Sequence, residues 1–127
     1  MKKGYLQLLR EANAVVDAIS PAEAIASHAA SYVTFVDLRD PREISREGKI
    51  PGAFACPRGM LEFWIDPESP YHKPIFAEDR GFVFYCASGW RSALASKTAM
   101  EMGLEGVSHL DGGFSAWREA GGAVEIV

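Results

Sequence analysis

One stretch of this sequence brings together a nucleophile, a cation and the means to hold an anion: Cys86-Ala87-Ser88-Gly89-Trp90-Arg91-Ser92. A cysteine reacts as its thiolate, and the groups that stabilise a thiolate are helix N-termini and nearby cations. Arg91 supplies a permanent charge and a planar fork of N–H donors. Gly89 allows a backbone turn that a Cβ would obstruct, so successive N–H groups can point inward as an anion cradle. Such a loop can hold an anion and attack it, or carry a negatively charged sulfur adduct on Cys86. Both uses require a reachable sulfur nested among inward-facing amides.

The flanking residues say where this loop must sit. Phe82-Val83-Phe84-Tyr85 is a continuous apolar run, the pattern of a strand buried on both faces. From Arg91 to Met102 the chain is rich in helix formers, with no Pro or Gly until Gly103, which predicts a helix. Cys86 therefore falls between the carboxyl end of a strand and the start of a helix, where open α/β sheets bind ligands. A lone cysteine after an apolar strand is ordinarily a small buried hydrophobe. Strand, turn glycine, arginine and helix start together favour the reactive assignment. Trp90 is expected to be partly exposed and to line the mouth of the site.

The same residues resemble the active-site loop of rhodanese-like single-domain sulfurtransferases. Three other stretches match that family in its order. Val36-Asp37-Leu38-Arg39 is similar to its first-strand signature, and Lys49-Ile50-Pro51-Gly52-Ala53 resembles its Pro-Gly motif, where His commonly stands in the place of Lys49. Asp111-Gly112-Gly113-Phe114-Ser115-Ala116-Trp117 resembles its C-terminal motif. The resemblance covers residues 20 to 123 or so. It implies a three-layer α/β fold, with a central, mainly parallel sheet of about five strands and helices on both faces. Residues 1–19 are then expected to form an N-terminal helical extension and residues 20–127 the rhodanese-like domain. The resemblance also implies a thiosulfate sulfurtransferase with Cys86 as catalytic nucleophile and Ala87, Ser88, Gly89, Trp90, Arg91 and Ser92 as the substrate-binding loop. Its partners would be a small sulfur donor and a thiol or protein acceptor, and no cofactor is called for.

Composition sets the outer bounds. A chain of 127 residues, 48% hydrophobic and 24% charged, can bury a real core in one domain. A net charge of −4 argues against a broad nucleic-acid footprint. Two cysteines cannot make a disulfide scaffold. No apolar run approaches the length needed to span a bilayer, and no N-terminal apolar run with a cleavage site is present. The expected setting is reducing and cytoplasmic, which suits a free thiol. His28, His72 and His109 have no metal-ligand spacing with each other or with a cysteine.

Along the chain, Tyr5, Leu8, Leu9, Ala12, Val15, Val16 and Ile19 recur at helical steps, so one amphipathic helix is expected to pack on the sheet, with an oligomer contact as the alternative. Ser20-Pro21-Ala22-Glu23 and Asp40-Pro41-Arg42-Glu43 are helix starts with a cap, a proline and an acidic third residue. Tyr32 to Asp37 is a strand. Asp37 is expected to accept backbone hydrogen bonds or pair with an arginine. Phe54-Ala55-Cys56 is a brief strand stopped by Pro57, and Cys56 reads as a thiol without a role. The Pro-rich loop carrying Tyr71, His72 and Lys73 is expected on the surface, where it could edge the site and choose the acceptor.

Two other functions share this loop. Cysteine-based phosphatases and arsenate reductases also use a Cys-to-Arg cradle, but those resembling this fold carry a loop one residue longer. The shorter loop suits a single sulfur better than a phosphate, and the sequence near it offers no general acid for a leaving alcohol. A regulatory binding module could keep the pocket without the chemistry, but the presence of Cys86, Gly89 and Arg91 together argues for catalysis.

Overall fold

The computed structural model describes residues 1–127. Its centre is a sheet of five parallel strands: β1 (Asp17–Ile19), β2 (Val33–Asp37), β3 (Phe54–Ala55), β4 (Gly81–Tyr85) and β5 (Val107–Leu110), in the spatial order β1-β5-β4-β2-β3. The helices are α1 (Tyr5–Val15), α2 (Pro21–Ala30), α3 (Pro41–Glu47), α4 (Leu61–Ile65), α5 (Trp90–Glu101) and α6 (Gly113–Glu119). The expected three-layer α/β architecture is the one observed. No helix is long and apolar enough to cross a membrane.

Both faces of the sheet are covered, which is why its central strands read as unbroken apolar runs. Val36, Phe82, Phe84 and Val107 pack with Leu61 and Ile65 of α4 and Ala95 and Ala99 of α5. Phe35, Val83, Tyr85 and Leu110 pack with Ala24 of α2 and Phe114 and Trp117 of α6. Ser20 and Asp40 both cap their helices in full capping boxes, with Pro21 and Pro41 at the first helical positions.

The N-terminal segment differs from the helix expected through Ile19. Helix α1 stops at Val15, Val16 is extended, and Asp17, Ala18 and Ile19 pair with Ser108, His109 and Leu110 as an outer strand. Strand pairing overrides the helical spacing of Val16 and Ile19. Of the predicted stripe, Leu9, Ala12 and Val16 are buried while Tyr5, Leu8 and Val15 stay exposed. Leu9 and Ala12 pack on Ala93 of α5, so α1 lies against the helix that follows the Cys86 loop rather than on the sheet itself.

One buried polar cluster interrupts the apolar interior. Asp37 accepts from the Arg39 backbone N–H at 3.0 Å, from Arg39 Nε at 3.0 Å, from Arg39 Nη2 at 2.8 Å and from the Tyr85 hydroxyl at 2.7 Å. Arg39 Nη2 also donates to the Gly48 carbonyl, and Tyr85 Oη accepts from the Ile50 N–H. Both Asp37 and Arg39 side chains are fully enclosed. Burial, followed by the Asp37 charge, pushes the Tyr85 hydroxyl pKa upward, so it remains protonated as a donor. Asp37→Ala would strand the guanidinium in the interior and should lower unfolding free energy by about 3–5 kcal/mol, measured by urea denaturation. Tyr85→Phe should cost about 1–3 kcal/mol in the same measurement.

Candidate active site

Tyr85 ends β4 opposite Asp37 in register, and Cys86 follows at the carboxyl edge of the sheet. Gly89, at φ +104°, sits just before the first turn of α5, in the left-handed region that a side chain would strain. The Gly89 N–H donates to Cys86 Sγ at 3.2 Å, and Sγ lies 3.6 Å from Ser92 Oγ. The backbone N–H groups of Ala87, Ser88, Trp90, Arg91 and Ser92 have no hydrogen-bond partner within the protein. The thiol is thus set in a polar, donor-rich loop and not in hydrocarbon. It is more enclosed than a freely reachable sulfur, with Cys86 only 1% exposed. Its loop neighbours Ser88 and Trp90 are exposed.

The turn Asp111-Gly112-Gly113 presses directly on this loop. The Phe114 N–H donates to the Cys86 carbonyl at 2.8 Å and the Ser115 N–H to the Ala87 carbonyl at 3.2 Å. A Cβ on Gly113, whose φ is +64°, would lie 2.6 Å from the Cys86 and Ala87 carbonyl oxygens. The first turn of α6 therefore holds the carbonyls of the loop and leaves its N–H groups free. Below it, the Arg39 guanidinium stacks on the Phe114 ring at 4.3 Å, which joins the buried ion pair to the loop.

Arg91 does not stand free. Its Nη1 and Nη2 donate to the two carboxylate oxygens of Glu43 at 2.8 and 3.0 Å, tying the start of α5 to the first turn of α3. Glu43 also accepts from the Asp40 N–H, so one side chain closes a capping box and anchors the loop. The Arg91 hydrogen bonds hold the Glu43 carboxyl down at about 2. Glu43, with Cys86 contributing further, raises Arg91 in turn. An acidic residue thus does lie beside the loop, unlike the expectation from the neighbouring sequence. It is an ionised partner of Arg91 and holds no proton for a leaving group near neutral pH.

The other predicted residues are more peripheral. Trp90 is exposed and lies against Tyr5 of α1, ring centroids 5.2 Å apart, so α1 reaches the rim of the loop. Cys56 is unexposed and burial pushes its thiol up to about 12; both cysteines are free. The Pro-rich loop is tied to Trp64, which accepts from the Lys73 N–H, lies 3.0 Å from His72 Nδ1 through its carbonyl, and stacks under Lys73 Nζ. No hydrogen bond joins that loop to residues 86–92. Lys49 pairs with Glu125 through the backbone and donates from Nζ to the Ala53 carbonyl. Sequence reasoning missed Glu43 as the Arg91 partner, Gly113 as the loop's support, and His109, whose Nδ1 lies 3.0 Å from Ser92 Oγ.

This architecture defines an α/β protein with a cysteine loop at the carboxyl edge of a parallel sheet. The rhodanese-like domain model matches residues 6–120, and the chain belongs to the rhodanese-like family. It is 36% identical over 91 residues to the thiosulfate sulfurtransferase GlpE of Shewanella oneidensis, covering 72% of this chain and 81% of that one. It is 37% identical over 89 residues to an uncharacterized Synechocystis protein, covering 70% of this chain and 45% of that one. The chain thus spans about half the length of the first curated relatives it matches, 45% and 57%. Among solved structures, a Rhodopseudomonas palustris protein of unknown function, described as a possible tyrosine phosphatase, superposes with a TM-score of 0.96 at 61% identity, covering 98% of this chain and 96% of that one.

Two outcomes test the geometry. Gly113→Ala should lower unfolding free energy by about 2–4 kcal/mol in urea, through the left-handed backbone and the collision with the loop. The folded Glu43 pKa of about 2 lies below the ordinary 4.5. Its pairing with Arg91 therefore contributes fully above pH 4.5 and is lost as pH falls towards 2. The Tm advantage of wild type over Glu43→Gln, read by thermal melts, should be present near neutral pH and shrink across that window.

Proposed function

We propose that this protein is a sulfurtransferase that moves sulfane sulfur from an anionic donor such as thiosulfate to a thiophilic acceptor through a Cys86 persulfide. The observation that supports the reading is the Cys86 loop itself, in which the Gly89 N–H donates to the sulfur and the N–H groups of Ala87, Ser88, Trp90, Arg91 and Ser92 have no partner within the protein. The small exposure of Cys86 makes parting of the loop the first step of donor entry. The Cys86 thiolate then attacks the outer sulfur of thiosulfate. A new S–S bond forms, the bond to the sulfonate sulfur breaks, and sulfite leaves with that electron pair. The free amides stabilise the negative outer sulfur of the persulfide. A nucleophile, cyanide in an assay or a thiol or protein acceptor in the cell, removes that sulfur and regenerates the thiolate. Two half-reactions on one covalent intermediate give ping-pong kinetics. Arg91 holds the loop in shape through Glu43 and keeps a positive charge beside the anions that pass. A reducing, cytoplasmic compartment would keep the thiol free.

The description of the Rhodopseudomonas relative makes phosphatase chemistry the alternative to test. The loop holds four residues between Cys86 and Arg91, and the arginine fork that would grip a phosphate is filled by Glu43. Both features favour sulfur over phosphate. A regulatory module would bind without turnover.

The purified protein mixed with thiosulfate and cyanide should form thiocyanate, and its intact mass after thiosulfate alone should rise by about one sulfur atom. Cys86→Ser should abolish both. Cys56→Ser should keep both per folded molecule, because that thiol is buried and protonated. Turnover of a phosphate ester without thiocyanate would favour the phosphatase, and silence in both assays the binding module.

A further inference from the structure

His109 is a buried imidazole that the sulfur chemistry above leaves unused. It lies on β5, directly opposite Ala18 of β1 on one side and Phe84 of β4 on the other, and is 3% exposed. Its Nδ1 is 3.0 Å from Ser92 Oγ, and Ser92 Oγ is 3.6 Å from Cys86 Sγ. An unbroken line of polar atoms thus joins the imidazole to the sulfur through one hydroxyl. The other ring nitrogen, Nε2, is enclosed and has no hydrogen-bond partner.

That orphaned nitrogen chooses the tautomer. A hydrogen on Nε2 would be a buried donor with nothing to receive it, whereas a hydrogen on Nδ1 has Ser92 Oγ as its acceptor. With Nδ1–H donating to Oγ, the Ser92 hydroxyl hydrogen must turn away from the ring, and Cys86 Sγ is the other polar atom within its reach. As a thiol, Cys86 donates to Ser92 Oγ; as a thiolate it accepts the hydroxyl hydrogen instead. The surroundings keep the ring neutral. Its strand neighbours Ala18 and Phe84 carry no charge, α5 presents Ser92 and Ser96 as its buried polar side chains, and α1 packs on α5 through the apolar Leu9 and Ala12, with its partly exposed Glu11 acting on Lys97. Asp111, just beyond β5, is the carboxylate that acts on the ring, and burial outweighs it, so the His109 pKa is lowered.

We propose that His109 is a positioning residue: by donating from Nδ1 to Ser92 Oγ it aims the Ser92 hydroxyl at Cys86 and so holds the sulfur as a thiolate ready to attack. The proposal rests on Cys86 being the nucleophile of the reading above. Its test needs no sulfur donor. Alkylation of Cys86 by iodoacetamide is followed against pH, with Cys86→Ser as the blank and circular dichroism as the check on folding. In Ser92→Ala and in His109→Leu the midpoint of the alkylation profile should move upward by the same amount, roughly one pH unit, or about tenfold in rate at a fixed pH below it. The double variant should move no further than either alone, because both remove one hydroxyl contact. His109→Asn places an amide donor at the Nδ1 position and should restore the wild-type profile. His109→Gln moves that amide to the Nε2 position and should behave as His109→Leu does, which keeps the test alive if the leucine variant does not fold. A wild-type midpoint in both His109→Leu and His109→Gln, additive effects in the double variant, or no rescue by His109→Asn would each overturn the proposal. Failure of wild type to gain sulfur from thiosulfate would overturn the sulfurtransferase reading alone, since the alkylation profiles decide the role of His109 independently.

Discussion

The ion pair between Asp37 and Arg39, closed by the Tyr85 hydroxyl, is the constraint on which the remaining structure leans. A guanidinium and a carboxylate without solvent are tolerable only when nearly every donor and acceptor is matched. Here the carboxylate receives four hydrogen bonds and Arg39 reaches on to the Gly48 carbonyl, while its Nη1, without a hydrogen-bond partner, lies 4.0 Å from the Glu47 carboxylate. These directional contacts bind the ends of β2 and β4 to the segment after α3. They also set Tyr85, and hence Cys86 beside it, at a fixed height above the sheet. Apolar packing alone would tolerate small slips; a cluster of this kind does not.

The Cys86 loop is then shaped from three further sides. The start of α6 takes hold of its carbonyls, and a glycine at the contact lets two backbones approach to where a methyl group would collide. The first turn of α3 grips Arg91 through Glu43. Helix α1 leans on α5 and brings Tyr5 to Trp90. With the carbonyls engaged and the amides idle, the loop presents a concentrated set of partial positive charges to whatever enters. On the proposed reading, that asymmetry suits an anionic sulfur species.

Much of this was legible from residue order. The apolar run before Cys86, the turn glycine and the helix formers after Arg91 are local signals, and the strand–loop–helix they predict is present. Both capping boxes were readable because a capping box spans only one helical turn. The short strand β1 was not, since three residues carry too little alternation to compete with a helical stripe running into them. The Glu43–Arg91 and Ser92–His109 contacts join residues far apart in the chain, and each of these residues had a plausible local role: a cap, an anion ligand, a helix residue, a strand residue. The closeness of Gly113 to the loop is a backbone approach, to which a doubled glycine points without naming the partner.

The strand order carries one more consequence. The outermost strands, β1 and β3, have three and two residues. Unpaired edges of that length offer few free amides and carbonyls for a foreign strand to zip onto, while the long, sticky strands β2, β4 and β5 are locked inside. Brevity at its borders thus leaves the sheet little edge on which another strand could continue it.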